Sequence, residues 1–204
     1  DVLSADEFRS VIADRRSDDL NKLGTANTDW QKAIYRNTGT IDQSLAIRGN
    51  LFNIIPTSLT LGNTDQQGLR LTNNFKRNTV GLVMNPVFFD KHLKLRLSAN
   101  YTDEINRFTD AVEGAAIGFD PTQPIKVEGA PYGGYFEYTT GVDANGNYPL
   151  VATAARNPVS QLLNTNDRGT NDRIFGNFEM DYKFHFLPEL RAVVNVGFDE
   201  SNGE

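Results

Sequence analysis

The stretch that decides the fold is Arg173-Ile-Phe-Gly-Asn-Phe-Glu-Met-Asp-Tyr-Lys-Phe-His-Phe-Leu-Pro-Glu-Leu-Arg-Ala-Val-Val-Asn-Val-Gly-Phe-Asp-Glu200. Two runs alternate with period two and meet at Leu187-Pro188-Glu189. In the first run Ile174, Gly176, Phe178, Met180, Tyr182, Phe184 and Phe186 share one face, and Asn177, Glu179, Asp181, Lys183 and His185 share the other. In the second, Leu190, Ala192, Val194, Val196 and Phe198 oppose Arg191, Asn195 and Asp199. Side chains of a strand point to opposite faces in turn, so this reads as an antiparallel hairpin with one apolar and one strongly polar face. Each run lasts about ten residues, the length a tilted strand needs to cross a bilayer.

The same period recurs upstream. Leu45 and Ile47 oppose Ser44, Ala46 and Arg48, with a break expected at Gly49-Asn50. Thr57 to Gly62 resumes it, Phe75 to Val87 repeats it, and Leu93 to Thr102 is its clearest instance: Leu93, Leu95, Leu97, Ala99 and Tyr101 against Lys94, Arg96, Ser98, Asn100 and Thr102. Asn63 to Gly68 is rich in turn formers and reads as a loop. Residues 103–172 form a polar insertion too long for an idle connection. Before the strands, Ser4 and Glu7 have the spacing of a capping box for a short helix, Gly24 suits a helix stop, and Thr28 with Gln31 offers a second box ahead of Trp30, a packing anchor. Within the insertion, Ala115–Phe119 reads as a brief helix, Asp120-Pro121-Thr122-Gln123-Pro124 as extended chain, and Ala155–Leu163 as another ordered segment with a helical turn.

Totals narrow the classes. The chain has 204 residues and net charge −6, so a nucleic-acid footprint is not expected. Mean hydropathy is −0.44, and no window approaches 18 apolar residues, which excludes a membrane-spanning helix but not a barrel strand. There are no cysteines, so disulfide and thiolate-metal scaffolds drop out. The N-terminal Asp1-Val2-Leu3 resembles a cut inside a longer chain, so the missing signal peptide carries no weight. Alternation alone fits a soluble sandwich as well as a barrel. Short turns alternating with long loops, and aromatics (Phe88, Phe89, Phe184, Phe186) beside the short turns, lean toward the barrel.

No catalytic constellation is visible. His92 and His185 lie beside predicted turns, far apart in sequence, in no nucleophile motif or metal-ligand spacing. Asp143-Ala144-Asn145-Gly146-Asn147 lacks the glycine position and the twelfth-position acid of a calcium loop, and Gly133-Gly134 has no helix behind it to hold phosphate. The reading is therefore not an enzyme, with no cofactor and no metal. Arg77, Lys94, Arg96, Glu179, Asp181 and Lys183 belong to the polar strand face, where charge on a lipid face would cost several kcal/mol. They are candidates for a lumen lining, pairing with one another, with a plug, or with passing substrate. Tyr132, Tyr135, Phe136 and Tyr138 are candidates for ligand or partner contact, with packing inside the loop as the alternative.

Six stretches, in order, resemble the SusC/RagA family of TonB-dependent outer-membrane transporters of Bacteroidetes. They are Leu3-Ser-Ala-Asp-Glu-Phe-Arg9, Leu23-Gly-Thr-Ala-Asn-Thr-Asp-Trp30, Asn63-Thr-Asp-Gln-Gln-Gly68, Phe119-Asp-Pro-Thr-Gln-Pro124, Arg156-Asn-Pro-Val159 and Asp181-Tyr-Lys-Phe-His-Phe-Leu-Pro188. The departures are a missing plug and TonB-engaging segment, most of a roughly 22-stranded barrel, and Gly49-Asn50 where a glycine pair is expected. The resemblance implies a mainly β fold, an antiparallel meander of about six strands from a transmembrane β-barrel. Its segments would be 1–37 (helical, extracellular), 38–102 (four strands), 103–172 (long extracellular loop) and 173–204 (hairpin), with the short turns facing the periplasm. It also implies localisation in the cell outer membrane and active import of glycan or peptide fragments. The implied partners are a SusD-like lipoprotein at the loops and the TonB–ExbB–ExbD complex, reached through the plug segment. The alternative is a soluble all-β ligand-binding or adhesion module with 103–172 as its surface.

Overall fold

The computed structural model describes residues 2–204. The described chain divides into two compact units, one of residues 1–38, 68–73 and 109–167, the other of 39–67, 74–108 and 168–204.

The second unit is a single sheet of β1 (Thr40–Leu51), β2 (Ile55–Gln67), β3 (Asn74–Met84), β4 (Val87–Phe88), β5 (Leu93–Phe108), β6 (Asp167–Lys183) and β7 (Arg191–Gly203). Its order is β1-β2-β3-β5-β6-β7, with the two-residue β4 pairing on β5. The fold class that the resemblance implies is therefore what forms, an antiparallel meander with a few short helices. Cross-strand register puts like with like. Leu45, Leu61, Val80 and Tyr101 form one row, and Ile47, Leu59, Leu82 and Ala99 the next. In the hairpin, Tyr182, Met180, Phe178 and Gly176 face Ala192, Val194, Val196 and Phe198. Because side-chain direction repeats every two residues, this register keeps these rows on one face, while Phe75, Val83, Phe175 and Val193 fall on the other. The face is uncovered: Ile47 is 53% exposed, Val196 57% and Phe198 52%. The other face holds Ser44, Gly62, Thr79 and Thr102 in one row and Asp42, Thr64, Arg77 and Glu104 in another.

Strand limits differ from the sequence reading in three places. No break occurs at Gly49-Asn50; β1 continues to Leu51, and the turn is Phe52-Asn53 with both residues at positive φ. The stretch Asn63–Gln67, read as loop, is the end of β2, paired on both sides up to Gln66 and with β3 alone at Gln67. Its residues were disguised by having polar partners on both faces: Asn63 donates to Asn78 Oδ1 at 2.7 Å, Thr64 to Asp42 at 2.7 Å, and Lys76 sits 3.3 Å from Asp65. The loop proper is only Gly68–Asn73. The long loop likewise shortens to 109–166, because β5 reaches Phe108 and β6 starts at Asp167. Pro86, which has no N–H for the ladder, separates β3 from β4.

The first unit closes on its own core. Helix α1 (Ala5–Arg15) begins at the expected capping box, with Ser4 N donating to Glu7 Oε2 at 2.8 Å and Glu7 N to Ser4 Oγ at 3.3 Å. A 3-10 turn follows at Ser17–Lys22. Helix α2 (Trp30–Ala33) is capped by Asp29, whose Oδ1 accepts from Lys32 N at 2.9 Å, and not by Thr28. The expected Thr28–Gln31 box fails because the Thr28 hydroxyl is committed elsewhere, donating to Gln123 O at 2.7 Å. Helices α3 (Glu113–Gly118) and α4 (Pro158–Asn164) complete it. Trp30, Ile34, Val112, Ala116, Phe119, Tyr135, Val159 and Leu162 form the core.

Candidate functional site

Four of the six quoted stretches converge in this first unit, and their glycine, amides and hydroxyls explain why. Gly24 N donates to Thr122 Oγ1 at 2.9 Å, Ala26 N to Thr122 O at 3.0 Å, Thr28 N to Pro121 O at 2.9 Å, and Trp30 Nε1 to Asp120 O at 2.9 Å. Residues 23–30 thus lie along 120–123 as a seam of backbone and side-chain bonds. A Cβ at Gly24 would stand 2.2 Å from Thr122 O, so this glycine serves close approach rather than a helix stop. Arg9 reaches the same place, donating to Ala26 O at 2.5 Å and Gly24 O at 3.1 Å. Asp120 Oδ1 accepts from Thr122 N and Oγ1 at 2.8 and 2.7 Å, a local turn in place of the expected extended chain.

Asn157 is the second organiser. It is fully buried, yet every side-chain polar atom is used. Its Oδ1 accepts from Val159 N and Ser160 N, both at 3.1 Å, which caps α4 with Pro158 in the first turn. Its Nδ2 donates to Ile125 O at 3.0 Å and Phe136 O at 3.1 Å. One side chain therefore ties a helix start to two loop segments, with no buried polar atom of its own left unpaired.

The loop aromatics fall around these two networks. Tyr135 is in the core at 6% exposure, with Lys126 Nζ 4.8 Å from its ring centroid. Phe136 and Tyr138 pack against the core and each other, centroids 5.1 Å apart and edge-on, and Phe119 meets Tyr138 at 5.5 Å and Trp30 at 4.5 Å. Burial, together with the Asp120 carboxylate it hydrogen-bonds, pushes the Tyr138 hydroxyl up to about 12. Tyr132 is the exposed member. It sits at φ +64 and its hydroxyl donates to Tyr148 O. A cavity of about 550 Å³ opens beside Tyr138, lined by Leu3, Phe8, Ile117, Phe119, Asp120 and Ala155. Asp143 turns inward on its own loop. Amide donors from Asn147 and Asn145 at 2.8 Å, Asn147 first, hold its carboxyl below the usual range.

On the sheet, the six charged candidates share the polar face. Arg77 lies between Thr64 and Glu104, its guanidinium 5.8 Å from the Phe75 ring centroid. Asp181 is bound by Arg191, one contact being Nε to Oδ1 at 3.0 Å. Glu179 stands opposite Asn195. Lys94, Arg96 and Lys183 make no ion pair among the described residues. The structure adds a contact that sequence spacing concealed. His92 and His185 stack, centroids 3.9 Å apart and 8° from parallel. His92 Nδ1 meets Lys183 O at 2.8 Å while Lys183 N donates to His92 O at 2.7 Å. The carbonyl can only accept, so the Nδ1 proton is fixed on His92. No group of three or more His, Asp or Glu suited to a metal occurs among the described residues.

A meander with an uncovered apolar face and a polar, charge-bearing opposite face is a stretch of β-barrel wall. No protein-family model matches the chain. Across 213 aligned positions covering all of it, the chain is 38% identical to the TonB-dependent receptor SusC of Bacteroides thetaiotaomicron. It spans 21% of that protein's length. This match supports a fragment of a SusC-like TonB-dependent receptor.

Proposed function

We propose that the segment forms part of an outer-membrane barrel that actively imports glycan or peptide fragments. The carrying observation is the exposed apolar face: rows such as Leu45–Leu61–Val80 and Ile47–Leu59–Leu82 need hydrocarbon against them, because such an area in water favours association. In this reading Phe52, Phe89 and Phe186, on the short turns, face the periplasm, and the long loop faces outside. Arg77, Lys94, Arg96, Glu179, Asp181 and Lys183 line the lumen or meet a plug. A SusD-like lipoprotein closes over the loops, with Tyr132 among the residues within reach of substrate or lid. Energy comes from TonB–ExbB–ExbD through the plug segment. The mechanism is gated passage without covalent chemistry on the substrate.

The test uses the complete receptor in its native envelope. Cells lacking it should lose TonB-dependent uptake of a labelled oligosaccharide or oligopeptide pool, and the receptor should fractionate with the outer membrane. Fractionation with soluble periplasmic proteins would end this reading. A soluble binding module would also need a second layer over the apolar strand face.

A further inference from the structure

We propose that Arg156, seated on Tyr132, is a carboxylate-binding site that takes ligands carrying a uronate or a peptide carboxylate. The site deepens the uptake reading and rests on it for the supply of such ligands.

The side chain is built rather than free. Arg156 Nε donates to Glu137 Oε2 at 3.2 Å, and the Glu137 carboxylate, 1% exposed, also accepts from Asn157 N at 3.1 Å. The guanidinium carbon lies 5.9 Å from the Tyr132 ring centroid. Tyr132 in turn is pinned by its hydroxyl bond to Tyr148 O, in a left-handed backbone that a tyrosine seldom adopts, followed by Gly133 and Gly134 at φ +72 and +80. Such conformations persist only where surrounding contacts over-determine them. The plane of the guanidinium is thus set from two sides. Its outer end stays open, since the Arg156 side chain is 45% exposed and neither terminal amino group has a partner among the described residues.

Two parallel N–H donors in a rigid fork match the two oxygens of a carboxylate. Charge alone does not explain the preference. Glu137 offsets Arg156, and residues 109–166 carry six carboxylates against the two cations Lys126 and Arg156. Lys126 is spent over the Tyr135 ring. Diffuse attraction of anions is therefore weak here, and only a ligand making the two-point contact is held.

The experiment is isothermal titration of the complete receptor in detergent micelles with two acids, trigalacturonate and trialanine. Each is paired with its neutral derivative, the methyl ester and the C-terminal amide. At least one acid should bind tenfold or more tighter than its neutral partner, and which one does so separates sugar acid from peptide. Arg156→Lys keeps a cation beside Glu137 but has no fork; it should abolish the tenfold preference at unchanged melting temperature. Equal binding of acid and neutral forms, no binding of either acid, or an intact preference in Arg156→Lys would overturn the site. If Arg156→Lys melts lower than the unmodified receptor, the acid-to-neutral ratio of the unmodified receptor decides alone. Neutral forms that bind as well as the acids would leave the uptake reading standing while removing the carboxylate.

Discussion

The two units spend similar side chains in opposite ways. In the first, Trp30, Ile34, Phe119 and Leu162 turn inward and all fall at or below 3% exposure. In the second, Ile41, Ile47, Val194 and Phe198 stand open at 42–60%. Both follow the hydrophobic effect; they differ in the solvent assumed. One unit buries its apolar surface against itself; the other leaves it open, which the proposed barrel reading assigns to a second apolar phase. Similar apolar side chains are therefore a core in one unit and an open face in the other, and exposure in the folded chain tells them apart.

The strongest way to break this contrast is inside the closed unit. Trp30→Ala should cost about 3–5 kcal/mol, from lost burial and the cavity left behind, and should free Asp120 O. Limited proteolysis of the complete receptor should then cut within 109–166, while heat-modifiable barrel migration persists. Loss of barrel migration instead would mean that the units are not separately stabilised. Next comes the open face. Leu82→Arg should cost about 2–4 kcal/mol if it meets the bilayer interior, whereas Thr79→Arg on the polar face should cost far less. Urea unfolding of the liposome-inserted receptor measures both, and equal costs would dissolve the distinction. Gly24→Ala drives a methyl against Thr122 O and should cost about 1–3 kcal/mol, read as a lower melting temperature of the loop unit alone. The smallest effect is a titration. Tyr138 is held above its unfolded value of 10, up to about 12. Its contribution is therefore complete below pH 10 and is lost as pH rises from 10 through 12. Absorbance at 295 nm should show a late-ionising component that shrinks by one tyrosine in Tyr138→Phe.

Sequence reading recovered what is local and periodic. The Ser4–Glu7 capping box, the alternation of 93–102 and the hairpin at 173–200 each sit within one window. It failed where strands leave the apolar band. Around Asn63–Asn78–Asp103, with Asn78 Nδ2 donating to Asp103 Oδ2 at 3.2 Å, both faces are polar, so period two carries no hydropathy signal and a strand looks like a loop. With 17 residues, β6 exceeds the 9–11 a bilayer crossing needs, and the surplus is where the misreading lies. The candidate site was legible in its residue types but not in its roles. Tyr132, Tyr135, Phe136 and Tyr138 look alike in sequence, and only long-range contacts sort one exposed ring from three packed ones. The Gly24–Thr122 seam joins residues 98 apart and the histidine stack joins 92 to 185; no spacing rule reaches that far.

The closed unit is drawn from three separate pieces of chain, 1–38, 68–73 and 109–167. The shortest piece is sewn in at several points: Thr72 Oγ1 donates to Leu162 O at 3.1 Å, Leu71 N to Ile34 O at 2.9 Å, and Arg70 Nη1 to Asp110 O at 2.8 Å, with Arg70 Nε 3.0 Å from Glu113. Inheritance and engineering meet the same restriction here. A recombination that exchanges only 109–166 between two receptors would import half of each seam: a new partner for Gly24, for Trp30 and for Arg70 at once. Viable chimeras should therefore carry all three pieces together, and ligand preference in this family should change by substitutions on the loop surface more readily than by wholesale exchange of the loop.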